Sequence, residues 1–426
     1  MDSTTFDTLV AIAVIVAAAR VVGSGAVRLG QPRVVGEIVA GLLLGPTLLG
    51  SWSDTMVPSD ARPMLAAVGD VGLTLFMLVV AVNIDWGRLA GRGRAVAIVS
   101  GFSLSIPAAG GAVAAIWWWN DDHVPGFGTD AAPSAASFAV LVATAASVTA
   151  LPVAAKILAE RGQLGDDVGR IGISVAAVST AAMFIGLGIG LDLVDGFDAG
   201  VLAGRLVGVV LLGVGAVIAI RVIAVAVRWW SGRSESEWIP ERAGVVAVAV
   251  AAALGTGALT DRMGLHAMIG GFLFGVVLER GVSLGSLDVD VVRSPVVGSI
   301  GPIVDVVLLP VFLAVAGLRT DLRETNGSVL LTAGVLLAIA VIGRWSGAYA
   351  GARLTGLPDA SSQTLAGLLN CRGLLILVVG LAATEAGVFT QQLQIAGVVV
   401  ALATTAMTGP LLRRADVAAS AVPAAT

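Results

Sequence analysis

The chain carries one cysteine, two histidines, one tyrosine and one lysine among 426 residues. A lone thiol, Cys371, excludes an internal disulfide framework and any cysteine-built metal site. His123 and His266 both fall in or beside loops, so a histidine-rich metal centre is excluded too, and no cofactor is expected. Charge is equally scarce. Asp, Glu, Lys and Arg together make 13% of the residues, where a soluble domain averages about 25%, so water is not the main solvent of this chain. No basic run points to nucleic acid. The net charge of -4 means little once most of the chain lies in lipid.

What remains is aliphatic. Hydrophobic residues make 57% of the chain with aromatics at only 5%, and mean hydropathy is +0.95. The 55 glycines would weaken soluble helices, but in a bilayer they let helix backbones approach closely. The N-terminal Met1–Asp7 is acidic and lacks a basic n-region, and no A-x-A site follows at a suitable place. The first apolar run therefore reads as a retained helix, not a signal peptide.

A membrane-spanning helix needs about 20 mostly apolar residues. That criterion gives about thirteen segments, near 6–28, 34–50, 62–83, 92–118, 134–160, 166–191, 199–229, 242–262, 265–282, 294–318, 326–354, 362–387 and 392–413. The only other spanning architecture is a closed barrel, which needs short alternating strands; these runs are too long and too uniformly apolar. The expected fold is an all-α integral membrane protein. Residues 1–413 form a single transmembrane unit and 414–426 a short cytoplasmic tail. Arginines concentrate at 87–94, 228–242 and 413–414, whereas the loops 120–130 and 192–198 are acidic or neutral. The positive-inside rule then places the chain in the cell membrane with its N-terminus outside and its C-terminus cytoplasmic.

Three pairs of stretches resemble each other in the same order: 34–50 with 266–279, 73–89 with 308–323, and 175–183 with 399–407. Matching helices lie seven spans apart, and an odd offset reverses direction across the membrane. Inverted repeats of this kind belong to secondary transporters, whose sites lie where discontinuous helices meet. Two spans carry suitable breakers: Thr149-Ala150-Leu151-Pro152 in the fifth and Asn370-Cys371-Arg372-Gly373 in the twelfth. Carbonyls released there, with Thr144, Ser147, Thr149 and Asn370, can line a polar cavity; a Pro kink can also be merely structural.

Arg344 and Arg372 lie deep in apolar spans, where an ionisable group is a functional candidate by default. Arg344 is too central to reach the interface, and Arg372 has the alternative of satisfying carbonyls at its break. Lys156 stands four residues before Glu160, which predicts an interfacial ion pair. Glu37, Asp85, Asp305 and Asp321 fall near span ends, and Glu37 is the most interior of them.

At these residues the sequence resembles the monovalent cation/proton antiporter superfamily. The nearest branch holds the bacterial sodium/proton and potassium exchangers and the plant cation/proton exchangers. The resembling stretches are 30–50, 147–162, 260–275, 309–322, 370–374 and 404–412, in order along nearly the whole chain. The resemblance implies a thirteen-helix fold with two broken helices around 134–191 and 362–413. It also implies a dimerisation domain, hence a homodimer, and elevator-type alternating access. It further implies an acidic pair, or Asn-Asp, after Ala-Ala-Val in the sixth span, where this chain reads Ala176-Ala177-Val178-Ser179-Thr180. Hydroxyls can ligate a cation as neutral dipoles, but they neither release a proton nor balance its charge. An acid is also frequent in that branch at the position of Ile376. Arg344 matches a buried basic residue that pairs with the core acid, so the cation is kept and its partner is missing.

Three functions stay open. One is a cation/proton antiporter using another carboxylate, for instance Glu37. A second is a transporter of a small organic acid clamped by Arg344 and Arg372. The third is the fold repurposed as a membrane-embedded enzyme or receptor, with Ser179, Thr180 and Cys371 near its ligand.

Overall fold

The computed structural model describes residues 3–83, 92–120, 134–195, 242–263, 266–284, 289–318, 322–373 and 375–420, with isolated positions between 200 and 215. Asp85, His123, Asp321 and most of the predicted span 199–229 lie outside the described residues, as do most of the two arginine-rich loops. The described residues are helical, with no strand among them.

The helices used below are α1 (Ser3–Arg28), α2 (Arg33–Leu44), α3 (Arg62–Asn83), α4 (Gly93–Asn120), α5 (Ala135–Ser147), α6 (Leu151–Glu160), α7 (Asp167–Asp195), α8 (Arg242–Arg262) and α9 (Ala267–Leu284). They continue with α10 (Val289–Ile303), α11 (Leu309–Leu318), α12 (Gly327–Ala338), α13 (Arg344–Leu354), α14 (Asp359–Leu369), α15 (Leu375–Glu385) and α16 (Gln391–Ser420). Single π-helical turns, Val304–Leu308 and Ile339–Gly343, join α10 to α11 and α12 to α13. Nine helical stretches among the described residues are long and apolar enough to cross a membrane, and two more apolar helices are shorter. Large apolar side chains such as Val113, Ile116, Leu331 and Ile342 stand exposed on these helices, as lipid contact requires.

Two predicted segments differ from the structure. The run 34–50 is not one span: α2 stops at Leu44, and Gly45-Pro46 starts a separate short helix, because Pro46 cannot donate into the preceding turn. At the other end α16 continues to Ser420, past the predicted start of the tail at 414.

The chain divides into two compact units. One comprises residues 1–62, 91–198 and 313–426, and the other 63–90 and 199–312. Both broken helices lie in the first. There α4 packs against α5 and α13, α7 against α5 and α6, and α16 against α12, α14 and α15. The α4–α13 contact shows what glycine does here. Gly343, Gly347 and Gly351 recur every fourth residue, a small-xxx-small stripe. A Cβ on Gly347 would lie 2.4 Å from the Phe102 carbonyl oxygen, and one on Gly343 3.0 Å from Pro107 Cα. The stripe brings α13 close enough for Arg344, next to Gly343, to reach the breaks described below. In the second unit α8 packs against α9 and α10, with Thr256 Oγ1 donating to the Gly270 carbonyl at 3.1 Å.

Candidate functional site

Each broken helix stops for a local reason. After Ser147 the backbone turns extended at Val148 and again at Ala150, and α6 restarts with Pro152 in its first turn, where the missing N–H costs nothing. The second break follows α14 at Asn370. Gly373 adopts φ +51°, and a Cβ there would lie 2.3 Å from Val153 Cγ2, so glycine alone fits. The two breaks are bonded to each other. Ala150 N donates to the Cys371 carbonyl at 3.1 Å, and Thr149 Oγ1 donates to the Leu369 carbonyl at 2.8 Å. Gly373 N donates to Thr405 Oγ1 on α16 at 3.2 Å. From α7, Thr180 Oγ1 reaches the Thr149 carbonyl at 3.4 Å.

Arg344 is fully buried at this crossing. Its Nε donates to the Leu369 carbonyl at 3.3 Å, and Nη1 donates to the carbonyls of Ser103 (2.9 Å) and Ser147. Nη2 donates to Ser179 Oγ at 2.6 Å. Ser147 ends α5 and Leu369 ends α14, so two of these acceptors are helix-terminal carbonyls with no partner inside their own helices. They also carry the negative ends of the helix dipoles. The question of what balances Arg344 is thus answered without an acid. The guanidinium occupies a nest of helix ends and one hydroxyl, and it contacts the position where the resemblance led one to look for a carboxylate. A guanidinium has five N–H donors, and four bonds leave one, so the bidentate acid clamp expected of Arg344 is not available in this arrangement.

Arg372 is also fully buried. Nη1 donates to the Ala145 carbonyl at 2.8 Å, in the last turn of α5, and Nη2 to the Ala340 carbonyl at 3.2 Å, in the π turn before α13. Its Nε has no hydrogen-bond partner among the described residues. Asn370 is fully buried as well, with neither amide atom bonded among the described residues.

The remaining predicted residues separate. Thr149, Ser179 and Thr180 meet at the crossing. Thr144 and Ser147 do not offer their hydroxyls to it: Thr144 Oγ1 donates to the Val140 carbonyl at 2.7 Å and Ser147 Oγ to the Thr144 carbonyl at 3.2 Å. Cys371 is buried with Sγ 3.9 Å from the Ala150 carbonyl, packed into the crossing.

Lys156 and Glu37 require a correction. Glu37 is not interfacial: it has no exposed surface, and Lys156 is only 2% exposed. Lys156 Nζ donates to both carboxylate oxygens of Glu37, at 3.0 and 2.7 Å. The partner predicted for Lys156, Glu160, accepts from Arg33 N at 3.2 Å. The helical i,i+4 spacing pointed to Glu160, but α2 packs on α6 and presents Glu37 to the buried face of that helix. The signal available in the sequence was that the chain's sole lysine and an acid both stand inside apolar runs. A cavity of about 530 Å³ lies alongside, lined by Gln31, Arg33, Ile157, Glu160 and Arg413 among others. Arg33 is one helical turn before Glu37 and Ile157 is next to Lys156, so this vestibule approaches the pair from the ends of α2 and α6. Among the described residues no group of three or more His, Cys, Asp or Glu side chains can hold a metal ion.

Comparison with known proteins identifies the family and the fold. The chain is 29% identical to "Cation/H(+) antiporter 20" of Arabidopsis thaliana over 94% of its own length, but it spans only 47% of that protein, about half the length. It is 27% identical to "Na(+)/H(+) antiporter NhaS4" of Synechocystis, covering 97% of this chain and 98% of the relative. The solved structure of the sodium proton antiporter MjNhaP1 from Methanocaldococcus jannaschii superposes with a TM-score of 0.65 at 14% identity, over 98% of both chains, which shows a shared fold. The family described as sodium/hydrogen exchanger, transmembrane, matches residues 10–414. The chain is a multi-pass membrane protein of the monovalent cation/proton antiporter superfamily and belongs to the sodium/hydrogen exchanger family.

Proposed function

We propose that this chain is a monovalent cation/proton antiporter that carries its exchangeable charge on Glu37. The observation that carries this reading is the buried Glu37–Lys156 pair. At the crossing, Ser179 and Thr180 stand in place of the acidic pair, and Arg344 already fills the convergence of helix ends where a cation would be held. A second cation there would meet a fixed positive charge and, among the described residues, no carboxylate. Glu37 is the carboxylate of the same unit that is fully buried among the described residues. A buried carboxylate cannot stay charged and alone. It is satisfied by the Lys156 ammonium, by a proton or by a dehydrated cation, and competition among these three is the elementary requirement of exchange. The neighbouring vestibule, lined by Arg33 and Ile157, is the side from which water and a cation would approach the pair. In this reading Arg344 fixes the crossing as a pivot, the elevator motion and the homodimer are those the family resemblance implies, and the cytoplasmic C-terminus is the one the arginine distribution predicts.

The test uses proteoliposomes loaded with a pH-sensitive dye, with sodium, lithium and potassium added in turn across a set pH gradient. Cation-dependent dissipation is expected for the native chain and its loss for Glu37→Gln. A native chain that leaves the gradient intact with all three cations overturns antiport. Undiminished exchange in Glu37→Gln overturns the role of the carboxylate.

A further inference from the structure

We propose that the vestibule at the end of α6 is a binding site for a phosphate monoester dianion. Its volume is about 530 Å³, and it lies within the first unit. Small-molecule pockets span about 300–1,000 Å³, so a phosphate with an organic group attached fits. Arg33 from the start of α2, Arg161 from just beyond α6 and Arg413 from α16 line it, and Glu160 is the one acid of the lining. Three guanidiniums against one carboxylate leave an excess of two positive charges.

That lining has the wrong sign to gather a cation, so its charge calls for another explanation. The positive-inside rule accounts for arginines at cytoplasmic helix ends, but not for three of them, from separate elements, around one concavity. All three are within reach of solvent, Arg413 exposed and Arg33 and Arg161 half-buried. The Arg413 guanidinium lies against Gly30, itself part of the cavity wall. Its Nη1 donates to the Gly30 carbonyl, and a Cβ on Gly30 would lie 3.0 Å from Cζ. Arg413 makes no other hydrogen bond among the described residues, so four of its five N–H donors remain. Arg161 is steadied by Nε donating to Gln163 Oε1 at 2.8 Å, and Glu160 by accepting from Arg33 N at 3.2 Å. Guanidiniums match phosphate oxygens in paired hydrogen bonds. A phosphate monoester carries about −1.5 to −2 charges at neutral pH and three acceptor oxygens, which cancels the excess. A phosphodiester or a monocarboxylate, with one negative charge, cancels half of it. Val27, Ile157 and Leu412 give the organic part an apolar wall. Ile157 adjoins Lys156 and Arg33 stands one turn before Glu37, so an occupant covers the approach to that pair. Closure of a cation path in this way rests on the reading of Glu37 as the exchanging carboxylate; binding of the anion does not.

The detergent-purified full chain would be titrated calorimetrically with glycerol 3-phosphate, and with dimethyl phosphate and sodium chloride at equal ionic strength for comparison. One glycerol 3-phosphate should bind per chain, saturably and more tightly than dimethyl phosphate. Arg413→Gln and Arg161→Gln should each weaken it about tenfold, the loss of one charge-assisted contact. Glu160→Gln removes the acid of the lining but keeps an acceptor for Arg33 N, and should tighten binding, a gain that damage to the fold cannot mimic. Repeating the titration in nanodiscs of phosphatidylcholine, with and without phosphatidic acid, separates the two sources of a monoester. Competition by phosphatidic acid assigns the site to a lipid headgroup, and undiminished binding assigns it to a soluble ester. No saturable binding of glycerol 3-phosphate overturns the proposal, as does an affinity unchanged in all three variants or matched by dimethyl phosphate. In dye-loaded proteoliposomes saturating glycerol 3-phosphate should slow cation-dependent dissipation, and an unaltered rate overturns the closure. A chain that binds the ester but moves no cation contradicts antiport and not this site.

Discussion

Arg344 Nη2 lies 2.6 Å from Ser179 Oγ, both residues having no exposed surface, so a guanidinium is paired with a neutral hydroxyl at the meeting of two broken helices. Removing that acceptor in Ser179→Ala leaves a buried donor of a charged group unsatisfied, at an expected cost of about 1–3 kcal/mol. Ser179→Asp places a carboxylate in the same contact and should raise the thermal midpoint of the detergent-purified protein. That gain should vanish when combined with Arg344→Met, which would leave the new acid buried and alone. A midpoint lowered by Ser179→Asp as much as by Ser179→Ala would mean that the three carbonyls already satisfy Arg344.

The Glu37–Lys156 contact predicts strong coupling. Breaking a buried ion pair from one side costs about 3–5 kcal/mol, because the remaining charge is stranded. Glu37→Gln and Lys156→Met should each destabilise by that order, and the double variant by less than the sum of the two. A double-mutant cycle on thermal or urea unfolding reads the coupling directly. Additive effects would show that the two charges are solvated independently.

Much of this fold is legible in the sequence because its signals are local. Length and hydropathy place α1, α3, α4, α7 and α8 within a few residues, and Pro152 and Gly373 mark both breaks. The candidate site is legible only as a set of residue types. That Thr149, Ser179, Thr180 and Arg344 converge depends on the α4–α13 approach, which the Gly343–Gly347–Gly351 stripe permits but whose partner it does not name. The acceptors of Arg344 and Arg372 are mostly backbone carbonyls, of Ser103, Ala145, Ser147, Ala340 and Leu369, and a carbonyl has no residue identity to read. Lys156 was assigned to Glu160 because i,i+4 neighbours are visible in one dimension, while a partner 119 positions away is not.

His266, just before α9, gives a pH dependence. Its Nε2 stands 3.7 Å from Asp70 Oδ1 and its side chain is only 20% exposed. Burial lowers its pKa from the ordinary 6.5, and the attraction of Asp70 and Asp261 for the proton only partly opposes this. The folded chain therefore prefers the neutral ring, while the unfolded chain takes up a proton near 6.5. The contribution to stability is complete above that value and is lost as pH falls towards the lower folded value. Midpoints recorded between about pH 5 and 8 should decline on the acid side, and His266→Gln should flatten that decline. Asp70→Asn removes one of the opposing attractions and should steepen it. A slope unaffected by both substitutions would place the titrating group elsewhere.

Gly347 tests whether close helix approach positions the crossing. A Cβ there would lie 2.4 Å from a backbone oxygen of α4 and 3.1 Å from Ser103 Cα, neither of which can yield without moving the helix. Gly347→Ala should cost about 1–3 kcal/mol as an overpacked contact. Because Ser103 carries one of the Arg344 acceptors, the displacement should also weaken that bond. Gly334→Ala on α12 is the matched control, since nothing lies within 4 Å of its Cβ position. There the substitution only removes backbone freedom and should stabilise by up to about 1 kcal/mol. Equal midpoints for the two variants would show that α13 tolerates a wider spacing from α4, and that Arg344 is held by its hydrogen bonds alone.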